Sequence, residues 1–215
     1  MERMPFREPS TATVTHASRT IESDWRQTLP VLVGKSITLR ELRPSDATSL
    51  LSMISSEEVA RFISPPPATI EGYERFIAWT HRGRAAGNYM CFGIVPSGMD
   101  TAVGLFQIHE TEAGFTTAEW GFALGSPFWG KGIFTEGARL LLDFAFDVIG
   151  VHRLEARAAV YNGRGNGALR KVGALQEGIL RRSLLRNGEY LDQVLWAIID
   201  SDRRHSRVYV GPSVH

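Results

Sequence analysis

Only one cysteine, Cys91, stands among 215 residues, and it excludes an internal disulfide framework and zinc sites built from paired thiols. Cys91 lies in the apolar run YMCFGIV, where a thiol behaves as a small buried hydrophobe. The six histidines are scattered and have no partners at metal-ligand spacing, so no metal site is expected. Neither sign of charge is in excess. Lys and Arg number 24 against 23 Asp and Glu, a formal net charge of +1, so composition gives no footprint for nucleic acid. No apolar run is long enough to span a bilayer, and the first residues lack a signal-peptide core. No membrane partner is expected, and a cytoplasmic location fits. What is present is an apolar share of 43%, ordinary for a soluble chain and enough for a core, in a length that suits one domain.

The hydrophobic pattern divides the chain into a polar N-terminal extension, 1–30, a folded domain, 31–200, and a polar tail, 201–215. Trp25 is the residue that would pin the extension to the body. SITLRELR reads as a strand. PSDATSLLSMI starts a helix at Pro44 and Ser45, with Leu50, Leu51 and Ile54 as its apolar face. The triple proline at 65–67 breaks the chain, and Ile70, Tyr73, Phe76 or Ile77, and Thr80 recur at helical spacing after it. Three strand-like runs follow: YMCFGIVP, TAVGLFQIHE and TTAEWGFAL. Next come a glycine-containing loop with its helix, a strand HRLEARAAV, a helix NGALRKVG, and two runs separated by Asn187-Gly188, a hairpin signal. This order predicts an α+β fold built on a mixed sheet.

The loop and helix SPFWGKGIFTEGARLLL, 126–142, carry the chemistry. Gly130 and Gly132 flank Lys131 where a helix is about to begin, although glycine is a poor helix former. Glycine serves where backbone takes unusual angles or comes close to a ligand, and a helix start offers unpaired N–H groups and a positive dipole end. The combination describes an anion cradle. A nucleotide P-loop would match Gly125, Gly130 and Lys131, but Gly132 stands where the magnesium-binding hydroxyl must be. A dinucleotide fingerprint matches Gly130 and Gly132 and fails at Thr135. No G-x-S-x-G nucleophile elbow is present. The ladder Ile133, Gly137, Leu140, Leu141, Phe144, Val148 is the predicted packing face of the helix, with Gly137 permitting close approach to the sheet.

Three separated segments, AEWGFAL, PFWGKGIFTEGARLLLDFAF and HRLEARAAVYNGRGNGALRKVGALQEGILR, agree in order and spacing with one family. Together they resemble the GNAT superfamily of N-acetyltransferases, most of all its ribosomal-protein N-terminal acetyltransferase branch, over roughly residues 36 to 199. The resemblance implies a mostly antiparallel sheet with helices on both faces and a splayed central strand pair. It implies acetyl-CoA as co-substrate, transfer of acetyl by direct attack of a primary amine, and no metal. The cradle would hold the CoA pyrophosphate through Gly130, Lys131, Gly132, Ile133, Phe134 and Thr135. Asn162, with Asn166 as a second candidate, would bond the pantetheine arm; either could instead cap the following helix. The oxyanion would be held by a backbone N–H near Phe122 or Ala123.

Glu119, on the strand before the loop, is the candidate base, acting through a water; an exposed strand glutamate, or an ion pair with an arginine, is its structural alternative. Tyr190 and Asp192 are candidates for the acceptor groove, with Phe62, Tyr73 and Trp79 as further lining. The sequence departs from the family at two positions: Pro127 replaces a Gln or Arg, and Gly165 replaces a serine proposed to assist the leaving thiolate. The acceptor is left open among a protein N-terminus, a lysine, a polyamine and an antibiotic, and a homodimer is an assembly left open. The alternative reading is a catalytically silent acyl-CoA-binding regulatory domain.

Overall fold

A computed structural model describes residues 24–202, so most of the predicted N-terminal extension and nearly all of the tail lie outside the described residues. In chain order the elements are β1 (Leu32–Val33), β2 (Ile37–Glu41), α1 (Ala47–Ile54), α2 (Glu57–Ala60), α3 (Ile70–Ala86), β3 (Tyr89–Pro96), β4 (Gly104–Glu110), β5 (Thr117–Leu124), α4 (Ile133–Asp143), β6 (Arg153–Ala159), α5 (Gly163–Lys171), β7 (Leu175–Arg186) and β8 (Glu189–Ile199). They form the predicted α+β fold: one eight-stranded sheet, ordered β1-β2-β3-β4-β5-β6-β8-β7. Every neighbouring pair is antiparallel except β5 and β6. No helix among the described residues is long and apolar enough to cross a membrane.

The sheet is buried on both faces. On one side lie α4 and α5, packed through Ile133, Ala138, Leu141, Leu142 and Leu169 onto Phe106, Trp120, Leu124, Leu154 and Ala156. On the other lie α1 and α3, where Leu50, Ile54, Tyr73 and Ile77 meet Cys91, Val95, Leu105 and Ala123. This explains why YMCFGIVP is an unbroken apolar run: every residue of β3 is buried. Gly137 faces the sheet so closely that a Cβ there would lie 2.6 Å from Phe106 Cε2 and 3.1 Å from Ile37 Cδ1. Trp25 packs edge-on against Phe115, with ring centroids 5.7 Å apart.

The predicted ladder of α4 holds for Ile133, Gly137, Leu141 and Phe144, and fails at Val148, which is 63% exposed. The helix widens into a π-helical turn over Phe144–Ile149. The wider turn changes the angular step per residue, so Ala145 and Phe146 take the inward positions instead. The hairpin signal is realised, with Arg186 opposite Glu189 across a two-residue turn. The short strand β1 and the four-residue α2 carried too little periodicity to be read.

One buried ion pair ties the outer part of this frame together. Asp46 is fully buried and accepts hydrogen bonds from Arg40 Nη1 (2.8 Å) and Nη2 (2.9 Å), Arg43 N (2.7 Å) and Ala102 N (2.9 Å). Burial alone would push its carboxyl up. The Arg40 guanidinium and the two backbone amides outweigh that effect and hold it below the ordinary 3.8. Asp46→Ala should therefore lower unfolding free energy by about 3–5 kcal/mol, because it leaves the buried Arg40 charge without its carboxylate, with only the carbonyls of Glu41 and Asp100 to accept from it. The carboxylate's contribution is present above its unfolded-state pKa and disappears as pH falls through the lower folded value. Chemical denaturation from pH 6 down to pH 3 should show wild-type stability falling more steeply below about pH 4 than that of Asp46→Asn.

Candidate active site

β5 and β6 pair for three positions only: Thr117 with Arg153, Ala118 with Leu154, Glu119 with Glu155. Both strands continue, to Leu124 and Ala159, but apart. The result is a V-shaped gap in the middle of the sheet. Ala156 and Ala158 border it from β6, and their small side chains leave it open. On the β5 side, Gly125 N donates to Val103 O (2.9 Å), and the register continues as Ala123 opposite Leu105. Antiparallel ladders alternate, so the amide of Ala123 turns to β4 while that of Phe122 turns to the gap. The two oxyanion candidates are thereby separated: the Phe122 N–H is available and the Ala123 N–H is spent on the sheet.

The loop arrives directly beside this gap. Gly130 and Gly132 have φ of +73° and +80°, and nothing lies within 4 Å of where their Cβ atoms would be. Conformation, not crowding, requires glycine there, and the space above is open. Gly132 occupies the N-cap of α4 and offers no side chain to its amides. The first ladder bond runs from Glu136 N to Gly132 O (3.0 Å), so the amides of Ile133, Phe134 and Thr135 precede the helix's own hydrogen bonding. A cleft of ≈ 890 Å³ opens here, lined by Phe122, Gly130, Gly132, Phe134, Thr135 and Asn162. The side chain of Ile133 is buried in the core, so only its backbone is placed for a ligand, and the Lys131 ammonium lies 5.7 Å from the ring of Phe128, a residue of the cleft lining.

Sequence reasoning missed what holds the start of α4. The Glu136 carboxylate accepts from Ser36 N (3.0 Å), from Lys35 N and from the Ser36 hydroxyl, all in the turn between β1 and β2. Burial would raise its pKa, but these donors outweigh it and keep the carboxyl below its ordinary value. The only signal was a glutamate in a helical first turn, which dipole arguments already explain.

Asn162 caps α5 by accepting from Gly165 N (2.8 Å), and its side chain also lines the cleft. A Cβ at Gly165 would lie 2.5 Å from Asn162 Nδ2, so the capping side chain would have to shift if the serine expected from the family resemblance stood there. Asn166 is buried and its amide is fully engaged. Nδ2 donates to Ala159 O and Asn162 O (both 2.9 Å), and Oδ1 accepts from Trp196 Nε1 (2.8 Å). Its side chain closes the turn from β6 into α5 and does not line the cleft.

Behind the gap, on the α1–α3 face, lies a groove of ≈ 560 Å³ that shares Phe122, Ala123 and Asn162 with the cleft. Glu119 lines it, at the last paired position before the strands part. Its Oε2 is 2.8 Å from Arg157 Nη1 and 4.0 Å from His109 Nε2. The remaining lining is largely apolar and includes Phe62, Tyr73 and Phe76, whereas Trp79 stays outside, stacked near Phe76. Tyr190 and Asp192 also lie outside both cavities. Tyr190 is 55% exposed beneath the Arg182 guanidinium, and Asp192 accepts from Arg182 N (2.7 Å). From the same hairpin it is Leu184 and Gln193 that reach the groove. A strand reverses its face at each residue, so a selection one position off falls on the wrong side. Among the described residues, no cluster of three or more His, Cys, Asp or Glu is placed to hold a metal ion.

Residues 36–175 match the family model described as "Acetyltransferase (GNAT) domain". The chain is 32% identical over 178 residues to "Probable N-acetyltransferase YjcK" of Bacillus subtilis (strain 168), a match covering 80% of this chain and 98% of that one. It is 23% identical over 132 residues to the ribosomal protein uS5-alanine N-acetyltransferase of Escherichia coli (strain K12), covering 61% and 68%. Among solved structures, Mycobacterium smegmatis RimJ in complex with CoA-disulfide superposes with a TM-score of 0.72 at 23% identity, over 83% of this chain and 91% of that one. At that identity the likeness shows the fold.

Asn166→Ala should destabilise the protein by about 1–3 kcal/mol, since it orphans the buried Trp196 N–H. Thermal denaturation measures that loss. Ligand affinity at the cleft, titrated well below the melting temperature, should stay within about twofold, a change under 0.5 kcal/mol.

Proposed function

The chain belongs to the GNAT acetyltransferase family, and from that premise we propose that it transfers acetyl from acetyl-CoA to a primary amine, on a protein N-terminus or a small molecule. One observation carries the reading. The gap between β5 and β6 opens directly onto the unpaired amides at the start of α4, and Glu119 stands where the strands part.

In this reading the pyrophosphate rests on the amides from Lys131 to Thr135. Hydrogen bonds to charged groups are worth about 1.5–3 kcal/mol each, and a helix end adds about 0.3–1 kcal/mol. Three such bonds approach the roughly −8 kcal/mol of a micromolar complex. The pantetheine arm passes Asn162 into the gap, and the thioester oxygen meets the Phe122 N–H. The amine approaches along the groove from the other face. Its nitrogen attacks the carbonyl carbon, the C–N bond forms, and the tetrahedral intermediate expels the thiolate as the C–S bond breaks. Glu119, through a water, takes the proton that the amine must lose. Arg157 keeps the carboxylate directed along the sheet and must yield part of that contact when the proton arrives.

The groove also bears on the acceptor. Its one carboxylate, Glu119, is already paired with Arg157, and most of the other lining is apolar or aromatic. That supports an amine carrying one charge beside a small apolar group over a polyamine, which needs several anionic partners.

A CoA-release assay against peptides with Ala or Ser N-termini, lysine, spermidine and aminoglycosides tests the activity. Turnover with an α-amine and little with spermidine is the expected pattern. Tight acetyl-CoA binding with no CoA release from any amine would instead mark a silent regulatory domain. In the same assay Glu119→Gln should lower kcat/KM by about 10²–10⁴ near neutral pH. Part of the loss should return at higher pH, as the α-amine, with an ordinary pKa of about 7.7–8.0, deprotonates unaided. Acetyl-CoA affinity should not change. A wild-type rate across the pH profile would remove Glu119 from the mechanism.

A further inference from the structure

Arg164, in the first turn of α5, places its guanidinium carbon 4.1 Å from the centre of the Trp129 ring. The contact bridges the two walls of the cleft, because Trp129 belongs to the loop after β5 and Arg164 to the helix after β6. Trp129 is itself fixed: its Nε1 donates to Leu124 O (2.7 Å), at the end of β5. Lys171 lies seven residues after Arg164, hence on the same side of α5, and lines the same cleft. Other arginines near the sheet are engaged by carboxylates: Arg40 by Asp46, Arg84 by Glu41, Arg153 by Glu155, Arg157 by Glu119. Among the described residues no such ion pair engages Arg164 or Lys171. Glu58, from α2, is the acidic residue of the cleft lining.

A guanidinium stacked by its face keeps its N–H edge free for an oxyanion, and its charge is held in place by the ring. The amides of α4 provide for one anionic group. The Arg164–Lys171 wall is a second, separate cationic position in the same cleft. Coenzyme A carries two such groups, the pyrophosphate and the phosphate on the ribose 3′ oxygen. We infer that Arg164, stacked on Trp129 and assisted by Lys171, binds the 3′-phosphate and makes the protein select CoA over its 3′-dephospho form. The inference rests on the reading of the cleft as an acetyl-CoA site.

Calorimetric titration of wild type, Arg164→Gln and Arg164→Lys with acetyl-CoA and with 3′-dephospho-acetyl-CoA tests it. Arg164 is exposed, so the variants should fold, and circular dichroism checks this. Wild type should prefer acetyl-CoA by about tenfold or more, as charge-assisted hydrogen bonds to a phosphate require. Arg164→Gln should weaken acetyl-CoA by a similar factor and leave the dephospho form within about twofold, abolishing the preference. Arg164→Lys should keep part of it, because the charge remains and the planar fork is lost. No preference in wild type, or equal weakening of both ligands by Arg164→Gln, would overturn the inference while leaving the cleft an acetyl-CoA site. If neither ligand binds wild type, the reading of the cleft falls and the inference with it.

Discussion

A parallel strand pair that stops after three positions is the constraint on which the rest of this structure depends. A sheet gains by continuing its ladder, and an unpaired buried amide or carbonyl is costly. The divergence of β5 from β6 must therefore be held open by everything around it. Each strand is secured on its far side by a long antiparallel partner, β4 for β5 and β8 for β6, with seven register pairs in each case against the three between them. The backbone groups left facing the gap are the ones that a ligand arm can satisfy. A defect in sheet pairing can persist as an open gap because the flanking pairs are strong enough to support it.

The loop and helix that follow β5 complete the arrangement. A strand ending at Leu124 must reverse direction to lay α4 across the sheet, and Pro127, within a short 3-10 turn, begins that reversal. Trp129 then bonds back to Leu124 O, and the two left-handed glycines finish the bend with the amides of α4 uncovered. Glu136 fastens the other side of that first turn to the β1–β2 turn, and Gly137, one residue on, lets the helix settle on Phe106. The position of the first turn of α4 is thus set in part by Glu136 and Gly137, which stand outside the cleft lining. Where the family resemblance leads one to expect a long polar side chain, Pro127 contributes geometry instead.

Much of this was legible from the residues in order. The apolar runs, the Asn187-Gly188 turn and the loop glycines are local signals, and local signals survive in a single sequence. What escaped was set by tertiary contact. Nothing in the sequence distinguishes Asn162, whose amide stays beside the cleft, from Asn166, whose amide is consumed by Trp196, a residue thirty positions away. The hairpin could be assigned to the acceptor side, but not which of its faces turned inward. Tyr190 and Gln193 lie three positions apart on β8 and so on opposite faces, and which of the two faces meets the groove is set by tertiary packing. The partnership of Glu119 with Arg157 was foreseen only as a generic alternative, since β5 and β6 are brought together by the intervening helix.

The period of two along β5 has one further consequence. Trp120, with its neighbour Phe122, turns to the α4 side, while Glu119 and Ala123 pack with the α1–α3 side. Where a sheet is continuous, those two faces cannot communicate. Here the missing β5–β6 ladder joins them, and the cleft and the groove share Phe122, Ala123 and Asn162 at the opening. A single strand can then present a backbone donor to a ligand entering from one face and a carboxylate to a ligand entering from the other. In the proposed reaction the two ligands would meet within the thickness of the sheet, beside Ala156, Ala158 and the aromatic side chains around them. Electrostatic interactions gain strength in such surroundings, so a lone amide and a lone carboxylate count for more there than on an open surface. In the proposed reaction the short parallel pairing is what would put both in reach of one reacting bond.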